Sequence, residues 1–195
     1  MHIAPGYTDN DWKQLDLDDD TSSGWATGIE ILQARIKGRY LDPADLLVAE
    51  DEKIRPAKDR RFGFTILAID CLLIETLQAF IEGKRDTKNQ SGRMFRNFLT
   101  THPAFSLYFN DQSADRFYRD FRCGILHHAE VPPDSVVWSV GPLLRIDGKR
   151  MVINRTKFHE ALKIEFESYL TDLADSRNRV LRSNFRRKMN YICQV

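Results

Sequence analysis

The stretch from about Asp59 to Glu82 is the longest apolar run in the chain, and it narrows the folds available. Ile66, Ile69, Leu73, Leu77 and Phe80 fall on one face of a helix, and Leu67, Cys71, Ile74 and Ile81 extend that face around the cylinder. A helix that is apolar on most sides belongs in the middle of a bundle, because a surface helix keeps one polar side. Asp70 and Glu75 interrupt the run and argue against a membrane span. Other helices follow from 3.6-residue spacing. Trp25, Ile29, Leu32 and Ile36 mark one that starts after Thr21-Ser22-Ser23 and stops near Gly38. A second, with a start at Asp42-Pro43, is short. Another runs from about Ser91 to Thr100 with Met94, Phe95, Phe98 and Leu99, ending before Pro103. A further one is capped by Ser113 or Asp111, runs through Arg116 to Glu130, and is ended by Pro132-Pro133. Phe158, Leu162, Phe166, Tyr169 and Leu173 form the next, continued or restarted by Leu181, Phe185, Met189 and Ile192.

Val136–Val140, Leu143–Ile146 and Met151–Ile153 read as short strands, with a hairpin turn at Asp147-Gly148. So few strands are marginal alone and must pack on the helices. The expected fold class is therefore mainly α: a bundle of five or so helices with a small β-hairpin insertion at about 135–153.

A chain of 195 residues has room for one domain with a real core. Its 42% apolar content, with 29 Lys+Arg against 28 Asp+Glu, excludes a disordered chain and a globally basic nucleic-acid binder. The opening Met-His-Ile-Ala-Pro-Gly-Tyr has neither the basic start nor the apolar region of a secretion signal. Cys71, Cys123 and Cys193 are widely spaced and odd in number, which points to a reducing, cytoplasmic setting. Charge is uneven along the chain. Asp9, Asp11, Asp16, Asp18, Asp19 and Asp20 stand against Lys13 alone, so residues 1–20 read as an acidic, solvated tail ahead of a single domain at 21–195. Arg177, Arg179, Arg182, Arg186, Arg187 and Lys188 make the other end basic. That end is a solvated helix face, or meets the acidic end, or touches phosphate, in which case Arg186, Arg187 and Lys188 are candidate RNA contacts.

Familiar catalytic motifs for phosphate cradling, zinc proteolysis and serine hydrolysis are absent. What remains is a cluster of Arg122, Cys123, His127, His128 and Glu130, where Gly124 and the double proline redirect the backbone. Three readings are open. Cys123 and His127, four apart on a helix, begin a metal site that would need His128 or His102 to complete it, and no second paired motif is present. A structural reading places His128 on the face of Phe117, Phe121 and Ile125, with Arg122 paired to Glu75 or Asp70. The third is catalytic: His exchanges protons near neutral pH, and Arg presents a fixed fork of donors to a phosphate that gains charge in the transition state. On a straight helix Arg122 and His127 point about 140° apart, so either the helix loosens at Gly124 or the groups converge from two protomers.

Arg122-x4-His127, with Arg122-x5-His128 as the alternative, resembles the R-x4-6-H motif of the HEPN superfamily, as do Phe117-Tyr118 ahead of it and Ile74-Glu75-Thr76-Leu77 before Gly83. The resemblance spans roughly residues 25 to 175. It implies a HEPN-like helical bundle that dimerises to bring two motifs into one cleft. It also implies a metal-independent endoribonuclease of toxin or defence type, needing no cofactor, with RNA as substrate and an antitoxin such as a nucleotidyltransferase as partner. Arg122 would then polarise the scissile phosphate, His127 act as acid or base with His128 as helper, and Glu75 orient the arginine. Many active members place Asn, Asp or His after the arginine, whereas this chain has Cys123. The alternative implied is a non-catalytic HEPN-like module that binds a nucleotide, RNA or protein.

Overall fold

The computed structural model describes residues 1–195. It is mainly helical with two small sheets. In chain order the elements are β1 (His2–Ala4), β2 (Tyr7–Thr8), α1 (Asp9–Lys13), α2 (Gly24–Ile36), α3 (Asp42–Lys53), α4 (Gly63–Ile81), α5 (Ser91–Thr101), α6 (Pro103–Ser106), α7 (Asp111–Phe117) and α8 (Gly124–His128). They continue with β3 (Ser135–Trp138), β4 (Leu144–Asp147), β5 (Arg150–Asn154), α9 (Arg155–Ala174) and α10 (Arg179–Cys193). Two π-helical turns, Lys37–Leu41 and Tyr118–Cys123, join α2 to α3 and α7 to α8.

The chain divides into two compact units, and α4 and α9 each give their two ends to different units. One unit comprises Met1–Pro43, Ala79–Thr87 and Phe166–Val195; the other comprises Ala44–Gln78 and Lys88–Glu165. In the first unit the ring of Phe185 is the hub: Trp12 meets it edge-on at 5.4 Å, and Phe80 and Trp25 lie at 6.1 and 6.4 Å. Residues 1–20 are therefore not a solvated tail. Ile3, Ala4, Trp12 and Leu17, set among the aspartates, are buried, and the Trp12 indole N–H donates to Asn190 at 2.8 Å. Gly38 does not stop a helix either: the chain passes through the π turn into α3, and a Cβ there would lie 2.9 Å from Pro5.

The second unit is built on phenylalanine. Phe117 stacks on Phe158 at 5.0 Å and on Phe121 at 5.3 Å, while Phe105 meets Phe158 at 5.0 Å. Helix α4 contributes Ile66, Leu67, Leu73, Ile74 and Leu77, all buried. It is long and apolar enough to cross a membrane, and more than half of it is buried within the protein. The second sheet has the order β3-β5-β4. It is thus a hairpin of β4 and β5 with β3 added parallel to β5, rather than a hairpin alone. Asp147 pairs with Arg150, so the turn residues are Gly148 and Lys149, one place beyond the expected Asp147-Gly148. Gly148, at φ +57°, supplies the positive angle that the first turn position needs.

Candidate active site

Helix α7 starts at a capping box in which Asn110, rather than Ser113 or Asp111, is the cap; its side chain accepts from the Ser113 N–H at 2.9 Å. Phe117, Phe121 and Ile125 then anchor α7, the π turn and α8 to the core, so Tyr118 and Arg122 lie toward the outer side. A π turn closes bonds from i to i+5 and interrupts the 3.6-residue winding. The 140° separation of an ideal helix consequently does not hold here, and the Arg122 Nη1 lies 3.2 Å from the His127 Nε2 within one chain. No second protomer is required for this contact. As a hydrogen bond it makes Arg122 the donor and the His127 Nε2 the acceptor, so that the ring proton sits on Nδ1.

Gly124 makes the corner possible. Ala129 ends α8 in the left-handed region at φ 54°, and the chain turns back so that a Cβ at Gly124 would fall 2.5 Å from the Glu130 carbonyl oxygen. The same return lifts His128 out of the face of Phe117 and Phe121; it is exposed rather than a core histidine. Of the two adjacent histidines, His127 is thus the one that reaches Arg122.

Arg122 is held from below. Its Nη2 donates to the Glu75 Oε2 at 3.3 Å, and the Ser91 hydroxyl donates to the Glu75 Oε1 at 2.7 Å. The guanidinium also lies over the Tyr118 ring, 5.6 Å from its centroid. Arg122 and Glu75 side chains are 19% and 17% exposed, so the cation is fixed at the surface rather than sealed away. Burial opposes its charge, but Glu75, then Tyr118 and Cys123, outweigh that and raise the Arg122 pKa above its ordinary value. Burial first, then the neighbouring Cys123, raises the Tyr118 phenol, so it stays protonated. The Cys123 thiol is half-buried beside both groups.

Asp70, the other carboxylate considered for Arg122, is committed elsewhere. The His159 Nδ1 lies 2.7 Å from its Oδ1, and both groups are buried. On the other side the His159 Nε2 lies 3.4 Å from Asp45, which pairs with Lys163 at 2.7 Å. His102 stacks on Phe98 at 4.2 Å and approaches Glu165 at 3.2 Å. No three His, Cys, Asp or Glu side chains are grouped to hold a metal ion.

The basic end is divided among different tasks. Arg182, buried, donates to the carbonyls of Leu173, Ala174 and Asp20 and lies 4.5 Å over the Trp25 ring. Arg179 and Arg186 pair with Asp20 and Asp18 at 3.0 and 2.7 Å, so the acidic and basic ends meet. Lys188 donates to the Arg85 carbonyl at 2.8 Å, while Arg187 lines an open hollow with Arg85 and Tyr191. Of the three candidate RNA contacts, Arg186 is thus tied to an aspartate and Arg187 borders open space.

Sequence reasoning missed the buried pair of Arg155 with Asp51, 2.6 Å apart, and the unpaired Arg60 beside it. The run Lys53, Arg55, Lys58, Arg60 and Arg61, five cations against Asp59 alone, is a signal for Arg60; Arg155 and Asp51 lie 104 residues apart and carry none. Compared with family models, with curated proteins and with solved structures, the chain matches none.

Proposed function

We propose that this chain is a HEPN-type endoribonuclease that cuts RNA without a metal ion, acting in the cytoplasm as a homodimer restrained by a cognate partner. The observation that carries the reading is the Arg122–His127 contact at 3.2 Å, with Glu75 fixing the far side of the guanidinium. When the Arg122 guanidinium swings from the His127 Nε2 to the phosphate, that nitrogen is freed to remove the proton of the ribose 2′-OH, whose oxygen attacks the adjacent phosphorus. The bond from phosphorus to the 5′ oxygen breaks, and that oxygen takes a proton from the imidazolium of the second copy. The products are a 2′,3′-cyclic phosphate and a 5′-OH, so atoms and protons balance. Arg122 stabilises the charge gathering on the phosphate oxygens. Glu75 and Ser91 are positioning residues.

The test is incubation of mixed cellular RNA with purified protein in excess chelator. Wild type cuts; His127→Ala loses about 10²–10⁴-fold and Arg122→Ala about 10²–10³-fold, whereas His128→Ala stays close to wild type. Absence of cutting by a folded dimer, or cutting that survives both His127→Ala and Arg122→Ala, contradicts the reading and favours a binding module.

A further inference from the structure

In the unit that holds α7 and α8, a second feature shares no residue with the Arg122 site. Gly63 and Glu75 are twelve residues apart on α4, about 18 Å along its axis. At the Gly63 end lies a cavity of about 60 Å³, walled by Asp51, Arg60, Gly63, Trp138, Ser139 and Arg155 among others.

The charges of that wall do not cancel. Asp51 is fully committed: its Oδ1 accepts from the N–H groups of Arg61 and Phe62 at 2.7 and 3.2 Å, and its Oδ2 accepts from the Arg155 Nη2 at 2.6 Å. Arg155 is 1% exposed, and its charge is answered by Asp51 with Glu52 at 3.8 Å. Arg60 has no such partner. Its Nη1 donates to the Ser139 hydroxyl at 2.7 Å, and its Nε is buried with nothing to donate to. A buried guanidinium N–H without an acceptor is costly, and an anion that draws the Arg60 side chain toward the cavity would satisfy it. Gly63 opens α4, whose first-turn N–H groups have no intrahelical acceptor and whose dipole favours negative charge.

Size and shape narrow the ligand. The pocket is small and opens to solvent, with room for one tetrahedral oxyanion beside Arg60. At the rim stands Trp138, 37% exposed, an aromatic face of the kind on which a base stacks. Arg55, Lys58 and Arg61 add positive charge in the same loop. We infer that this cavity binds the terminal phosphate of a nucleotide through Arg60, with the base resting on Trp138. A terminal phosphate, joined by a single bridging oxygen, has three other oxygens free to face the donors of this open pocket. The site stands whether or not the chain cuts RNA, because none of Arg122, His127 or Glu75 takes part.

Trp12 and Trp25 are buried and Trp138 is not, so quenching of the exposed indole reports binding at the rim. The experiment titrates the full chain with adenosine 5′-monophosphate, inorganic phosphate and adenosine, reading tryptophan emission and heat of binding. The nucleotide is expected to bind and quench, inorganic phosphate to displace it, and adenosine to do neither at the same concentration. Arg60→Gln should weaken nucleotide binding about tenfold or more with an unchanged melting temperature, and Trp138→Ala should weaken the nucleotide but not inorganic phosphate. Phosphate binding as tightly as the nucleotide, with Trp138→Ala silent, overturns the base contact and leaves a site for free phosphate. No binding of either at about 10 mM, above the ~1 mM dissociation constant of a weak specific site, overturns the inference. So does an Arg60→Gln protein that melts and binds as wild type does.

Discussion

Replacing Gly124 by alanine sets two physical effects against each other. Helix propensity favours alanine over glycine by about 0.5–1 kcal/mol, so at an ordinary helical position the variant would be more stable. Here the added methyl would stand 2.5 Å from the Glu130 carbonyl oxygen, which must retreat by about 0.9 Å to reach ordinary contact at 3.4 Å. That oxygen is backbone, and its segment is fixed by the left-handed Ala129 and by the Glu130 N–H bond to the Gly124 carbonyl at 3.4 Å. Overpacking of this kind costs about 1–3 kcal/mol, and loss of the return hydrogen bond adds about 1 kcal/mol. The steric effect wins, leaving Gly124→Ala less stable by about 2 kcal/mol, or 4–8 °C in melting temperature for a chain of this size. Thermal unfolding followed by circular dichroism measures it. A variant that melts at or above the wild-type temperature would refute the reasoning, since it would mean that the chain does not fold back tightly over Gly124.

The residue that makes the turn gives the opposite sign. Ala129→Gly relieves about 1–2 kcal/mol of left-handed strain against a smaller gain in unfolded entropy, so its urea midpoint should rise. Asp51→Ala leaves Arg155 buried without its partner and should cost about 3–5 kcal/mol, read by the same midpoint. Burial of Asp51 works against its charge, but the Arg61 amide, Arg155 and the Phe62 amide outweigh it and hold the carboxyl below its usual pKa. Its contribution is therefore present above about pH 4 and is lost as pH falls through the lower folded value; a milder Asp51→Asn variant should lack that acid slope. For His159, burial lowers the pKa, yet the hydrogen bond and charge of Asp70 and the charge of Asp45 outweigh it and the net shift is upward. The stability it gives is complete below about pH 6.5 and fades as pH rises through the folded value, so His159→Gln should remove the fall in stability above about pH 6.5.

Much of the helical framework was legible because periodicity reports burial directly. Ile66, Leu73, Leu77 and Phe80 are buried as their spacing implies, and α5 ends where Pro103 dictates. Errors arose where charge or composition stood in for pattern. The six aspartates of residues 1–20 hid Ile3, Trp12 and Leu17, whose apolar contacts outweigh the charge around them. The division into two units was not visible because α4 and α9 are each continuous in sequence, with no linker to mark the boundary. In the candidate site, Glu75 as partner of Arg122 could be read from the need of a half-buried cation for a carboxylate. The π turn could not, since Tyr118–Cys123 carries no residue that favours wide winding over α-helix. The angle between Arg122 and His127 left two routes, a helix that loosens near Gly124 or two protomers, and the π turn ahead of Gly124 takes the first. That Asp70, the alternative to Glu75, belongs to His159 was not legible, because His159 lies 89 residues away in sequence.

The most direct measurement uses a short RNA with one mapped cut, and the same strand carrying a single 2′-deoxy substitution at that position, both in excess chelator. Attack by the neighbouring 2′-OH is the step assigned to His127, so the all-ribose strand should be cut to a 2′,3′-cyclic phosphate and a 5′-OH. The substituted strand should remain whole at that position. Cutting at the deoxy position, or products that end in a 5′-phosphate, would contradict the assignment of Arg122 and His127.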